Sequence, residues 1–125
     1  MVYAWYNIGA MHSDCVFCKI VRKEIPAEVV YEDGDIVAFK DINAKAPVHL
    51  VVIPKKHLST LNDLGAEDIN TAGRILKVIS ELALSSGIDK RGYRVVVNCN
   101  SDGGQEVMHL HFHLLGGRSL AWPPG

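Results

Sequence analysis

The stretch His109-Leu110-His111-Phe112-His113-Leu114-Leu115 alternates between imidazole and apolar side chains up to its last step. Successive side chains on a β-strand point to opposite faces, so the alternation predicts a strand over residues 109–115. The three histidines share one face, and Leu110, Phe112 and Leu114 share the other. The apolar face can pack on a helix. The imidazole face needs partners, because unpaired polar groups on a core strand are costly. Three readings are open. The histidines are satisfied structural groups, or they hold a metal ion, since His-x-His pairs can share one. In the third reading one of them is a nucleophile, because a neutral imidazole attacks near pH 7 without special activation. Its second nitrogen then keeps the proton against a carbonyl, and the flanking histidines donate to an anionic oxygen or shuttle a proton.

Working outward, Gly116-Gly117 ends this strand and a Gly-containing loop, 101–104, leads into it. Residues 93–98 read as another strand. Across 66–86 the period changes: Ile69, Ala72, Ile75 or Leu76, Ile79 and Leu82 recur at helical spacing. Glu67 and Asp68 suit the first turn of that helix, and Gly87 suits its stop. Further back, 29–32 and 36–40 read as strands joined by the hairpin turn Asp33-Gly34. Residues 49–53 form a third strand closed by Pro54, and 15–22 a short helix. Hairpin-connected strands with one long helix inserted give an α+β domain with a mainly antiparallel sheet of five strands. One helix covers such a sheet sparingly, which suggests a homodimer.

The chain has 125 residues, about right for one domain, and 48% of them are hydrophobic, enough for a real core. Lys plus Arg number 13 against 14 Asp plus Glu, so there is no basic field for a nucleic acid polymer. No apolar run approaches the roughly 20 residues of a membrane span. Residues 1–14 differ from the rest and read as a flexible extension before a domain at 15–125. They hold Tyr3, Trp5 and Tyr6 but no basic residues, which argues against a signal peptide. Three cysteines without a secretory signal suggest a reducing compartment, cytoplasmic or also nuclear.

The segment 103–117, with its pattern His-φ-His-φ-His-φ-φ (φ hydrophobic), resembles the signature of the histidine triad superfamily. The resemblance runs from about Cys15 to the C-terminus. It includes Glu24-Ile25-Pro26, Ala46-Pro47, Pro54-Lys55-Lys56-His57, Gly92-Tyr93-Arg94 and Asn98. Gly116-Gly117 and the tail Trp122-Pro123-Pro124-Gly125 point to its Hint branch. The resemblance implies a homodimer with a continuous sheet, and a purine nucleoside phosphoramidase that cleaves adenosine 5′-phosphoramidates such as AMP-lysine. The middle histidine, His111, would be transiently adenylylated. His113 and Asn98 match phosphate contacts, and His49 matches a buried histidine near the nucleophile, a proton relay or a satisfied core group. Backbone N–H groups at Gly104, Gln105, Glu106 and Val107 would approach the phosphate, and the Gly104 carbonyl would fix the His111 tautomer. Asp41 matches the carboxylate that accepts from the ribose hydroxyls. Val16, Phe17, Ile20, Phe39 and Ile42 match the slot for the base, and Trp122 would reach the partner subunit's site. Some Hint proteins carry serine where this chain has Glu106, whose carboxylate cannot donate to a leaving group.

Cys15-Val16-Phe17-Cys18 is a C-x-x-C motif. Alone it reads as a redox pair or as two small buried residues, and it lies in no thioredoxin-like pattern. The resemblance groups Cys15 and Cys18 with His57 and His109, a set that suits a closed, structural zinc site. The chemistry itself would need no cofactor. Rival functions are a dinucleoside polyphosphate hydrolase, a nucleotide-binding scaffold with incidental catalysis, and a zinc hydrolase using the triad as ligands.

Overall fold

The computed structural model describes residues 14–125, so the expected extension lies, but for Asp14, outside the described residues. A short helix α1 (Val16–Val21) is followed by strands β1 (Val29–Glu32), β2 (Ile36–Lys40) and β3 (Val48–Pro54), a long helix α2 (Ile69–Ser85), then β4 (Tyr93–Val96) and β5 (Phe112–Gly116). The strands form one antiparallel sheet in the order β1-β2-β3-β5-β4. This is the α+β architecture that the sequence predicts.

The turns follow from local chemistry. Asp33 Oδ1 accepts from the amides of Asp35 and Ile36 at 2.8 and 2.9 Å, an Asx-type turn that starts β2. Arg74 of α2 donates to Asp33 and Asp35, tying the helix to that hairpin. At the far end of α2, Gly87 takes φ +74. The Ile88 amide donates to Ala83 O and the Gly87 amide to Leu84 O, a Schellman stop at the predicted glycine. The start differs slightly: residues Ala66–Asp68 form a 3-10 turn and the α-helix proper begins at Ile69.

Period-two patterning divides the core between two faces. Ile36, Ala38, Leu50, Val52, Leu110, Phe112 and Leu114 pack with Ile75, Ile79 and Leu82 of α2. Val37, Phe39, Val51 and Ile53 point the other way and pack with Val16, Phe17 and Ile20 of α1. The histidine stretch obeys this division but not as ladder throughout. Pairing with β3 begins at Phe112 rather than His109. Before it, the Leu110 amide donates to Leu58 O at 2.6 Å, outside the sheet. The side-chain alternation survives that departure, so all three imidazoles stay on the α1 side. Among the described residues, no helix is long and apolar enough to cross a membrane.

Candidate active site

A cleft opens on the α1 side of the sheet. Its floor is His49 and Val51 from β3 with His111 and His113, and Phe17 of α1 overhangs it. One wall is the loop after β2, with Asp41, Asn43 and Lys45. The other is Asn98, Gly104, Glu106 and Val107. β3 and β5 are adjacent, with His113 opposite Val51 and His49 opposite Leu115. His49 and His113 are therefore diagonal neighbours on one face.

Fixed donors and acceptors of the backbone determine where each imidazole proton sits. His111 Nδ1 lies 2.7 Å from the His109 carbonyl, which can only accept, so Nδ1 carries the proton and Nε2 the lone pair. The Lys45 amide can only donate, and it meets His49 Nδ1 at 3.0 Å, so neutral His49 is protonated on Nε2. That Nε2–H lies 2.9 Å from His113 Nδ1 and 3.3 Å from Asp41 Oδ2. His113 Nδ1 is then an acceptor, and its own proton is on Nε2, available to the cleft. Burial depresses the basicity of all three rings. It lowers His49 despite the nearby Asp41 carboxylate, and it lowers His111. Burial, reinforced by His111 and His49, takes His113 down to about 4. The cleft at neutral pH thus offers an uncharged imidazole lone pair beside an imidazole N–H.

Other expected site residues are distributed more widely. Phe17 stands edge-on to His111, with ring centroids 5.2 Å apart. Val16, Ile20 and Phe39 are buried in the α1-side core, whereas Ile42 is 67% exposed on the loop rim. Gln105 turns inward: its Nε2 donates to the carbonyls of Ser59 and Val107, and its Oε1 accepts from the Asn100 amide. The Gly104 and Gln105 amides are taken up by Ser101 O and Asn100 O, so these two are spent within the loop itself. The His111 tautomer is held by the His109 carbonyl rather than that of Gly104. Trp122 is 80% exposed, with the Arg94 guanidinium 6.0 Å from its ring centroid. Sequence reading missed Asn43, Lys45 and Val51 as lining residues. Lys45 acts through its main chain, which no residue type advertises.

A second group lies beside the cleft. The ligand atoms of Cys15, Cys18, His57 and His109 lie within 4.8 Å of one another. Cys15 Sγ and Cys18 Sγ are 3.4 and 3.5 Å from His109 Nδ1, and Cys18 Sγ is 3.2 Å from His57 Nδ1. A tetrahedral zinc with ordinary bond lengths separates sulfur from nitrogen ligands by about 3.5 Å, so the spacing fits. His109 Nε2 donates to Pro54 O at 2.8 Å, which turns the Nδ1 lone pair toward the sulfurs. Burial and the neighbouring Cys15 push the Cys18 thiol up to about 12, so only a bound cation would hold it as thiolate.

Known proteins match the chain over most of its length. The HIT domain matches residues 22–120. A purine nucleoside phosphoramidase of Escherichia coli is 46% identical over 110 residues, 88% of this chain and 92% of the relative. An uncharacterised HIT-like protein of Synechococcus elongatus is 50% identical over 115 residues, 92% of this chain and 100% of the relative. Among solved structures, a HIT family hydrolase from Legionella pneumophila aligns with TM-score 0.87 and 54% identity, covering 89% of this chain and 99% of that one. A histidine triad protein from Clostridium difficile aligns with TM-score 0.83 and 48% identity, covering 86% and 94%.

Proposed function

The chain belongs to the HIT domain family, and from that premise we propose that it is a purine nucleoside phosphoramidase of the Hint branch. It hydrolyses the P–N bond of adenosine 5′-phosphoramidates to AMP and an amine through a covalent His111–AMP intermediate. One observation carries this reading. The His111 proton is held on Nδ1 by the His109 carbonyl at 2.7 Å, so the unprotonated Nε2 is the nitrogen left for attack in the cleft. In the first step Nε2 bonds to the α-phosphorus and the P–N bond breaks. The departing nitrogen leaves as the amine with a proton taken from water. In the second step a water adds to phosphorus, loses a proton to solvent, and releases AMP and free His111.

Each transition state gathers charge on the non-bridging oxygens, where fixed donors are most valuable. In this reading His113 Nε2–H, the Asn98 amide and the Glu106 backbone N–H donate there. Asp41 takes the ribose hydroxyls, and Phe17 borders the base. The similarity to the E. coli phosphoramidase supports this substrate class. The four-residue Cys–His group would hold a structural zinc, which supplies a crosslink between α1 and the histidine stretch and no step of the reaction. The protein acts as a homodimer. Ile69, Leu76 and Leu84 on α2, with Tyr93 and Val95 on edge strand β4, are apolar surface for a partner copy.

The test is AMP release from an adenosine phosphoramidate, with diadenosine triphosphate run in parallel. Native protein should prefer the phosphoramidate. His111→Ala should lose on the order of 10³-fold or more in kcat while still binding AMP. Full activity in that variant would refute the nucleophile, and preference for the polyphosphate would refute the branch.

A further inference from the structure

The residue that follows the Gly116-Gly117 pair at the end of β5 has no place in the cleft, yet it reaches the histidine network. Arg118 Nη2 donates to the Lys45 carbonyl at 2.8 Å and Nε approaches the same oxygen at 3.3 Å. Its third nitrogen, Nη1, donates to Ser119 O at 2.9 Å. Two guanidinium nitrogens on one carbonyl form a planar fork that a lysine could not copy. The neighbouring Gly117 is packed onto the same loop. At φ +91, a Cβ added there would lie 2.9 Å from Pro47 Cβ. Thus Gly117 and Arg118 grip the 41–47 loop at two points.

The grip matters because of what Lys45 does with its other backbone group. Its amide is the donor that holds His49 Nδ1 unprotonated. We propose that Arg118 is a positioning residue for the reaction: by holding Lys45 through its carbonyl, it keeps the Lys45 amide on His49 Nδ1 and so, together with the Asp41 carboxylate at Nε2, sets the tautomers of both His49 and His113. The inference rests on the phosphoramidase reading for its catalytic consequence, but not for its structural content.

Loss of the grip propagates in a defined way. A Lys45 amide that swings off His49 removes one of the two groups that keep its proton on Nε2, leaving only the Asp41 carboxylate at 3.3 Å, so the form protonated on Nδ1 gains population. In that form His49 Nε2 presents a lone pair to His113 Nδ1, 2.9 Å away, against the opposing pull of Asp41 Oδ2. His113 answers by moving its own proton to Nδ1. Its Nε2 then turns a lone pair, not an N–H, toward a bound phosphate. One surface arginine thereby biases how often the cleft donates to the oxygens that gather charge.

The experiment reads the tautomers directly, by ¹⁵N chemical shifts of the imidazole nitrogens in the full chain, alongside steady-state kinetics on an adenosine phosphoramidate. In the native protein His49 should show an acceptor-type Nδ1 and a protonated Nε2. In Arg118→Ala the two shifts should converge, and Arg118→Lys should fall between. His111, whose proton is held by His109, should keep its pattern in both. With KM within about twofold, kcat should fall about fivefold to tenfold, the effect of one hydrogen bond. His49 shifts unchanged in Arg118→Ala would overturn the proposal, even if the variant were less stable. Converged shifts in a protein whose native form never cleaves phosphoramidates would uphold the positioning role and sink the proposed activity instead.

Discussion

His113 is the residue on which most of the site's electrostatics converge. It sits between His111 and His49, and burial first, then those two rings, takes it from the ordinary 6.5 to about 4. In the unfolded chain it binds protons more readily than in the fold. Stability therefore rises with pH across that window and drains away as pH falls from about 6.5 toward 4. Urea midpoints should drop over that interval, and His113→Gln should flatten the slope. Protonation would also place an N–H on His113 Nδ1 opposite the N–H of His49 and set the two rings against each other, which adds to that loss of stability. At this scale the sequence was legible where side chains carry the chemistry. Strict alternation was enough to put three imidazoles on one face. It could not say that Lys45 and His109 set tautomers with main-chain atoms, because any residue type offers the same N–H and C=O. The Gly104 carbonyl, expected for His111, gives way to that of His109, two residues before the ring it orients.

At the level of elements, α1 is small but doubly committed. Cys15 accepts from the Cys18 amide at its N-terminus, both thiols face His109, and Phe17 between them overhangs the cleft. If the group holds zinc, purified protein should carry one equivalent per chain by elemental analysis. Cys18→Ser should lose it and melt at lower temperature, whereas hydrolysis by native protein in chelator should persist until the fold itself fails. On the other face, Leu114 of β5 is fully buried against the α2-side core. Leu114→Ala should cost roughly 2–5 kcal/mol in chemical denaturation, without touching the imidazoles on the opposite side. Element types and the Gly87 stop could be read from period and turn chemistry. The late start of β5 could not, because Leu110 trades a ladder bond for the carbonyl of Leu58, a contact 52 positions away in the chain.

For the molecule as a whole, a sheet ordered β1-β2-β3-β5-β4 places α2 and β4 between two strands that end up side by side. Sequence patterning foresaw the strands and not their order, since alternation fixes which face a residue takes and says nothing of which neighbour it meets. The exposed apolar positions on α2 and β4 bear on assembly: light scattering should give twice the chain mass, and Leu76→Glu should reduce it to one. The junction of β3 with β5 has a further consequence, in time rather than in space. His49 and His113 belong to the two sides of that junction, and their 2.9 Å contact closes a loop of 64 residues. Ordering so long a loop is entropically slow, while the β1-β2 hairpin and α2 can form from neighbours alone. A refolding chain should recover its helical signal early and its turnover late. No species that lacks the β3-β5 junction should hold a fraction of the activity, because both sides of that junction line the site.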